Sequence, residues 1–190
     1  TTASNNTAVG YQAGYSNTTG ARLTAIGVQA GYSNNADNNT FVGQVSGYSN
    51  TSGANNTFIG QSSGFTNTTG GYNTVLGKDA LYSNTTGANN TAVGYQAGYS
   101  NTTGIQSTYI GNQAGYNSTS AYSCFVGYQA GYSSTGGVNN FFGYNSGSSV
   151  TSGAKNTIIG GYTGNQGGLD IRTASNYIVL SDGDGNPRGI

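Results

Sequence analysis

One repeated block of sequence limits what this chain can fold into. Its sixteen residues, NNTAVGYQAGYSNTTG, stand at Asn5–Gly20 and again, unchanged, at Asn89–Gly104. Alignment on the glycine that follows the apolar pair gives ten repeats between about Asn5 and Asp170, spaced by 16 or 17 residues. These anchor glycines are Gly10, Gly27, Gly43, Gly60, Gly77, Gly94, Gly111, Gly127, Gly143 and Gly160. A strict period of this kind indicates one supersecondary unit stacked on copies of itself.

Each position of the repeat keeps its own chemistry. The residue before the anchor is apolar in every repeat, the residue three before it is Thr in eight repeats, and the residue five after it is aromatic in eight. Two or more glycines per repeat leave no room for a helix. The pattern predicts a short Thr–x–Val–Gly strand, a bend, a second extended piece around Ala–Gly–Tyr, and an Asn-Thr-Thr-Gly turn.

The predicted fold is therefore all-β: a parallel β-solenoid of about ten 16–17-residue coils. Stacking at ~4.8 Å would give a rod of roughly 48 Å. Residues 1–170 form the predicted solenoid domain, a fibre shaft or head. Residues 171–190 break the period and gather much of the charge, which predicts a cap or a joint to a following domain. Because the chain opens directly on a full repeat without a polar cap, we expect it to be part of a longer protein.

The composition excludes several classes of function. Only 5% of the residues are charged and the net charge is zero, whereas nucleic-acid binding needs a basic surface. No apolar run approaches the ~18 residues of a membrane span, so we expect no membrane insertion. A single cysteine cannot form an intrachain disulfide.

No group of residues predicts catalysis, a cofactor or a metal site. The run Asp182–Asn186 begins like a calcium loop, but the chain has no Glu for the bidentate position of such a loop, so we interpret it as a plain turn. Cys124 takes the Thr position of one repeat and has no His to act as its base. We interpret it as a small buried residue and expect no enzyme.

The tyrosines leave two interpretations open. Tyr11, Tyr95, Tyr128 and Tyr144 directly follow the anchor, at a position that varies to Gln, Val, Lys or Asn. This variability indicates exposure, and exposed tyrosines beside amides are possible glycan contacts. The nearly constant aromatic position five after the anchor instead predicts stacked, packed rings.

Strand alternation predicts which side chains face a partner. The Thr and Val/Ile positions share parity, and we expect both inside the coil because the Val/Ile position is apolar without exception. The residue between them should then face outward as an apolar stripe that needs a partner. This stripe is the predicted interface between copies: Phe41, Phe58, Val75, Tyr109, Phe125, Phe141 and Ile158.

Two families resemble the chain. The segments NTAVG and NTFIG, followed by a small residue and Gly, are similar to the head repeats of trimeric autotransporter adhesins of the YadA type. The Tyr-Ser-Asn-Thr-Thr-Gly turns and the closing SNYIVLSDGDGNPRGI look more like bacteriophage tail-fibre proteins. The resemblance implies a left-handed parallel β-roll assembled as a homotrimer.

The function implied by the resemblance is that of a structural and adhesive segment of a phage tail fibre. Such a segment would belong to the virion, adjoin other fibre domains, and present or perform binding to a host cell-surface glycan or protein receptor. One alternative is a bacterial trimeric surface adhesin, located outside the cell at the bacterial surface. Another is a stand-alone β-solenoid binder such as an ice-binding protein, which the predicted inward-facing Thr column disfavours.

Overall fold

The protein folds as an all-β solenoid of ten coils. The structure is a computed structural model that describes residues 2–189. Each coil contributes one three-residue strand to a long sheet, and residues 2–189 contain no helix that could cross a membrane. The coil strands are β1 Thr7–Val9, β2 Thr24–Ile26, β3 Thr40–Val42, β4 Thr57–Ile59, β5 Thr74–Leu76, β6 Thr91–Val93, β7 Thr108–Ile110, β8 Cys124–Val126, β9 Asn140–Phe142 and β10 Thr157–Ile159. The later strands are β11 Asn165–Gln166, β12 Leu169–Asp170, β13 Ile178–Ser181 and β14 Pro187–Gly189.

The ten coil strands pair in parallel and in register. Between β4 and β5, for example, Thr57 pairs with Thr74 and Ile59 with Leu76. Every residue of a coil strand therefore lies beside the residue of the same repeat position in the next coil. The predicted parallel solenoid with a repeat of about 17 residues is confirmed.

The second extended piece predicted around Ala–Gly–Tyr is wrong. The residues from the anchor glycine to six positions after it form turns, in which Gln12 and Gly14 both have positive φ, at 53° and 61°. This segment still bonds to the next coil, because the amide of Gly14 donates to the carbonyl of Ala30 at 2.9 Å. Coil-to-coil hydrogen bonding thus continues outside the strands, although the backbone there is not extended.

The interior of the solenoid holds the side chains that we predicted on its outside. The seven side chains of the predicted interface between copies are 0–1% exposed within the single chain: Phe41, Phe58, Val75, Tyr109, Phe125, Phe141 and Ile158. They fill a narrow core and cannot reach a neighbouring copy. The prediction of their orientation is wrong, and the Thr and Val/Ile positions face outward instead.

The inner and outer faces of the strand are exchanged relative to the prediction because side chains from other repeat positions compensate for small residues at the core position. Alternation identifies two faces of a strand but does not say which one is buried. A constant residue type favours an interior position, yet the core position of this repeat ranges from Ala to Tyr, because other residues fill the space beside the small ones. Leu23 lies beside Gly14, near Ala8, and the buried Leu81 occupies a position that is Gly in the other nine repeats.

Core rings explain the second glycine of the repeat. Gly64 has a φ of +56°, and a Cβ placed on it would lie 2.4 Å from a ring carbon of Phe58. Gly131 faces Phe125 in the same manner at 2.6 Å. A ring in the core therefore requires Gly four residues after the anchor, and Leu81 occurs where the core residue of its coil is the smaller Val75.

Buried asparagines hold the rest of the interior together. Asn56 donates from Nδ2 to the carbonyl of Gly70 at 2.8 Å, and its Oδ1 accepts the amide of Asn73 at 2.9 Å. A second row of amides bonds along the rod, where Nδ2 of Asn67 donates to Oδ1 of Asn50 at 2.6 Å. Because these side chains are buried, each unmade bond would cost about 1–3 kcal/mol, so the ladders strongly fix the register.

The C-terminal segment continues the sheet and then reverses. Strand β13, at Ile178–Ser181, pairs in parallel with β10 and so adds an eleventh level to the sheet. Strand β14, at Pro187–Gly189, folds back antiparallel on β13, and β11 and β12 form a separate two-stranded hairpin.

We predict that the anchor glycines cannot be replaced. A Cβ at Gly60, whose φ is +133°, would lie 2.5 Å from the carbonyl oxygen of Gly77. Gly60→Ala should therefore lower the free energy of unfolding by about 2 kcal/mol or more, as measured by urea denaturation. Gly183→Ala is the matched control, because a Cβ there would meet nothing within 4 Å. Equal stability of the two variants would contradict the close coil stacking.

Candidate functional site

The outer sheet face consists of the outward-facing residues of the long parallel sheet, arranged as two parallel ladders. One ladder is the Thr column, which Cys124 and Asn140 interrupt. The other, the aliphatic ladder, has an apolar side chain at every level. Its members are Val9, Ile26, Val42, Ile59, Leu76, Val93, Ile110, Val126, Phe142, Ile159 and Leu180.

The chemistry of the outer sheet face is uniform along the rod. Neither ladder contains a charged residue, and the most exposed members of the aliphatic ladder are 36–57% exposed. The strict register of the strands places hydroxyl and methyl groups at one repeating spacing of ~4.8 Å. Such a face can pack against another regular surface, whether a second copy of the chain or ordered water.

Cys124 is the one residue of the Thr ladder with a reactive side chain. It is free and partly buried on the outer sheet face, not in the core as the sequence suggested. Burial raises the pKa of its thiol above the ordinary value of 9.0. The thiolate is therefore less populated at neutral pH than in an unfolded chain, and Cys124 is a weak nucleophile there.

The aromatic ladder is the row of rings five residues after each of the first eight anchors. Its members are Tyr15, Tyr32, Tyr48, Phe65, Tyr82, Tyr99, Tyr116 and Tyr132. Neighbouring ring centroids are 5.0–5.3 Å apart and the ring planes differ by 6–14°. The predicted stacking of this position is confirmed.

The stacking of the aromatic ladder limits what the ladder can bind. Each inner ring covers the faces of its neighbours, so that mainly ring edges and phenol oxygens meet solvent. Burial, followed by the neighbouring Tyr116, raises the pKa of Tyr99. Since sugars stack on ring faces, the ladder is a support of the rod and not a row of sugar platforms.

The four tyrosines proposed as glycan contacts are exposed, as the sequence predicted. Tyr11 and Tyr144 are 69% and 67% exposed, and Tyr95 and Tyr128 are each 43% exposed. The structure brings two of them together, because the rings of Tyr128 and Tyr144 stack with centroids 5.3 Å apart. Tyr11 and Tyr95 belong to no such pair and lie in separate coils.

Amide side chains form a ladder next to these tyrosines. Nε2 of Gln113 donates to Oε1 of Gln96 at 3.0 Å, and Nε2 of Gln129 donates to Oε1 of Gln113 at 2.8 Å. These residues stand two positions after the anchor, directly after the exposed tyrosine position. The sequence places amides beside these tyrosines, whereas the hydrogen bonds between the amides depend on the stacking of the coils.

The turn at Asp182–Asn186 uses its carboxylate internally. Oδ1 of Asp182 accepts the amides of Asp184 and Asn186 at 3.1 and 2.9 Å, and Oδ2 accepts from the guanidinium of Arg188. The Asn186 amide and Arg188 lower the pKa of the Asp182 carboxyl. Within residues 2–189 no three His, Cys, Asp or Glu side chains converge as metal ligands would.

A shallow cleft of about 240 Å³ near the C-terminal end was not expected from the sequence. It is lined by Thr151, Asp170, Arg172 and Thr173. Arg172 binds Asp170 at 2.7 Å and lowers the pKa of that carboxyl to about 2. Both charges of the cleft are therefore satisfied by each other, and we assign it no ligand.

We predict that folding slows the alkylation of Cys124. At pH 7.5 N-ethylmaleimide should react several-fold more slowly with the folded chain than with the chain in guanidinium, because the raised pKa of the folded thiol leaves less thiolate. The difference should narrow once the pH rises through the raised pKa of the folded thiol, because both thiols are then ionised. Mass spectrometry measures the extent of reaction, and the Cys124→Ser variant gives the background. Equal rates at pH 7.5 would contradict the partly buried position.

Comparisons with protein-family models, with curated proteins and with solved structures found no significant match. The resemblance to tail-fibre proteins and trimeric adhesins therefore stays a prediction from the repeat motif.

Proposed function

We propose that this chain is a structural and adhesive segment of a viral tail fibre, in which three copies associate along their outer sheet faces. The segment would hold or carry a binding surface for a host cell-surface glycan or protein receptor, as part of a virion. The number three and the viral setting come from the resemblance of the repeats. The need for a partner comes from the outer sheet face.

The observation that carries the proposal is the unbroken aliphatic ladder. Val, Ile, Leu or Phe occupies every level from Val9 to Leu180, in register and without an intervening charge. A soluble monomer rarely leaves a continuous apolar stripe of this length in water. The aliphatic ladder of a second copy repeats at the same distance, because its coils stack by the same backbone hydrogen bonds. The two ladders can therefore pack against each other level by level.

The free energy gained by burying the aliphatic ladder is sufficient for association only when all its levels are buried together. Complete burial of a Val, Leu or Ile side chain contributes about 1.5–3 kcal/mol, so a half-buried one would gain roughly 1 kcal/mol more. Eleven levels would offer on the order of 10 kcal/mol per copy. Association costs roughly 4–15 kcal/mol. A long ladder can meet this cost, whereas a few isolated side chains cannot.

The proposed interface replaces the one predicted from the sequence. Phe41, Phe58, Phe125 and Phe141 lie in the core of each chain, so their replacement by a polar residue should unfold the coil instead of separating the copies. The residues on either side of them in the strand now form the contact. Assembly and folding therefore depend on different columns of the same strand.

We predict that charges on the aliphatic ladder dissociate the assembly without unfolding it. The variant Ile59→Lys, Leu76→Lys, Ile110→Lys places three cations on side chains that are 36–49% exposed in the single chain. Light scattering should report three chain masses for the wild type and one for the variant, with an unchanged β-type circular dichroism spectrum.

The matched control is the variant Val28→Lys, Tyr95→Lys, Tyr128→Lys, which changes side chains of 43–44% exposure outside the sheet. It should keep the mass of the wild type. A wild-type chain that remains a monomer would overturn the proposal, as would equal dissociation of both variants.

A second candidate function, binding to ice, is favoured by the outward position of the Thr ladder. The objection drawn from the sequence was that Thr should face inward, and the structure reverses that orientation. Regular hydroxyls beside regular methyl groups on an in-register sheet would order water at the same spacing. In this function the outer sheet face would remain open to solvent in a monomer.

Thermal hysteresis separates the two functions. The fibre proposal predicts no gap between the melting and freezing temperatures of ice in a millimolar solution of the chain, since the outer sheet face is covered by other copies. A gap that disappears in the variant Thr57→Lys, Thr74→Lys would instead favour ice binding. The measurement is made by observing a single ice crystal on a cooled stage.

A further inference from the structure

The corner of the tenth coil differs from all earlier corners. We define the corner as the two residues that follow an anchor glycine. In the ninth coil the amide of Asn145 donates to the carbonyl of Tyr128 in the coil before it, at 2.8 Å. The equivalent amide of the tenth coil, that of Tyr162, donates to Oγ of Ser181 instead, at 3.0 Å.

The tenth corner is one residue short. In the eighth coil the amide of Gly131 donates to the carbonyl of Ser146, which stands three residues after its anchor. In the ninth coil the amide of Gly147 donates to Tyr162, which stands only two residues after its anchor. Tyr162 has turned into the core, where it is fully buried. Gly161, which has no side chain, is all that remains of the corner.

Two side chains that would cover the ninth corner are therefore missing. The ring of Tyr144 stacks on Tyr128 with one face, and no aromatic ring stacks on its other face. Its exposure is 67%, against 43% for Tyr128. Oδ1 of Asn145 is the one buried side-chain nitrogen or oxygen in residues 2–189 that has no hydrogen-bond partner. The amide bonds that run from Gln96 through Gln113 to Gln129 are not continued to this oxygen.

The backbone of the C-terminal turn lies on the far side of Gly161. The amide of Gly161 donates to the carbonyl of Asp182 at 3.4 Å. A Cβ on Gly161 would lie 3.0 Å from the carbonyl oxygen of Gly183. The exposed Asp184 belongs to the same turn. We call the surface that runs from the open face of the Tyr144 ring across Gly161 to the Gly183 carbonyl the Tyr144 notch.

The chemistry of the Tyr144 notch selects its ligand. One wall is the face of the Tyr144 ring, and the turn beyond Gly161 carries the carbonyl oxygen of Gly183 and the carboxylate of Asp184, which accept hydrogen bonds. Oδ1 of Asn145 is buried beside this surface and does not line it. A matching ligand needs a flat C–H surface and several O–H donors, and a pyranose ring has both. We propose that the Tyr144 notch binds a single pyranose ring of a surface glycan. This proposal rests on the proposed function for the presence of a glycan, and it assigns the contact to one end of the rod.

Saturation-transfer difference NMR tests the proposal with methyl β-galactopyranoside, methyl α-glucopyranoside and N-acetylglucosamine as probes. The wild-type chain should transfer saturation to the C–H protons of at least one of them. Tyr144→Ala should weaken that binding about tenfold, the order expected for the loss of one aromatic contact. Gly161→Ala should also weaken it, because a methyl group would enter the notch.

Tyr72→Ala is the matched control, since Tyr72 is almost as exposed as Tyr144, at 65%, but stands at another repeat position, far from the tenth corner. It should bind the sugar as the wild type does. Transfer to none of the three sugars would overturn the proposal, and so would an equal loss in Tyr72→Ala. Preferential binding of tetramethylammonium would also overturn it, because the notch would then be a cation site.

The mass of each variant in light scattering keeps the two proposals separate. Tyr144→Ala should assemble as the wild type does, because Tyr144 lies outside the aliphatic ladder. If the chain assembles but binds no sugar, only the proposal of sugar binding at the Tyr144 notch is contradicted. A monomeric wild-type chain that binds sugar through Tyr144 contradicts the proposed fibre assembly alone.

Discussion

The in-register contact between successive coils is the interaction on which the rest of the structure depends. Its closest point is the anchor glycine, where the backbone of one coil approaches that of the next so closely that a Cβ on Gly60 would lie 2.5 Å from the oxygen of Gly77. This contact places every residue beside its counterpart in the next repeat. The aromatic ladder, the amide ladders and the outer sheet face are all consequences of that single constraint.

Stacking also explains how so polar a chain folds. Its core is narrow, and the remaining interior consists of small side chains, serines, and asparagines that bond to one another and to backbone carbonyls. A narrow core is sufficient when each coil stabilises the next. Such a core tolerates few substitutions. Phe58 requires Gly64 beside it, and a side chain such as Leu81 fits only in a coil with a smaller core residue such as Val75.

The functional proposals lie at the two places where stacking leaves something uncovered. Along the rod the aliphatic ladder repeats an apolar group at each level, which calls for a partner with the same repeat. At the C-terminal end the shortened corner leaves the ring of Tyr144 open on one face and Oδ1 of Asn145 without a partner. One surface is continuous and suits assembly, whereas the other is single and suits a small ligand.

The sequence by itself determined the repeat, the parallel stacking, the stacked rings from Tyr15 to Tyr132 and the exposure of Tyr144, because each follows from the spacing of residue types along the chain. Only the tertiary structure decided which face of each strand is buried. Alternation treats the two faces alike, and the core position varies in size because Leu23 and Leu81, from other positions of the repeat, fill the space beside small core residues. The Tyr144 notch was also beyond the sequence. It depends on a one-residue shortening after Gly160 and on a turn that returns from Asp182, and these segments meet only in the folded chain.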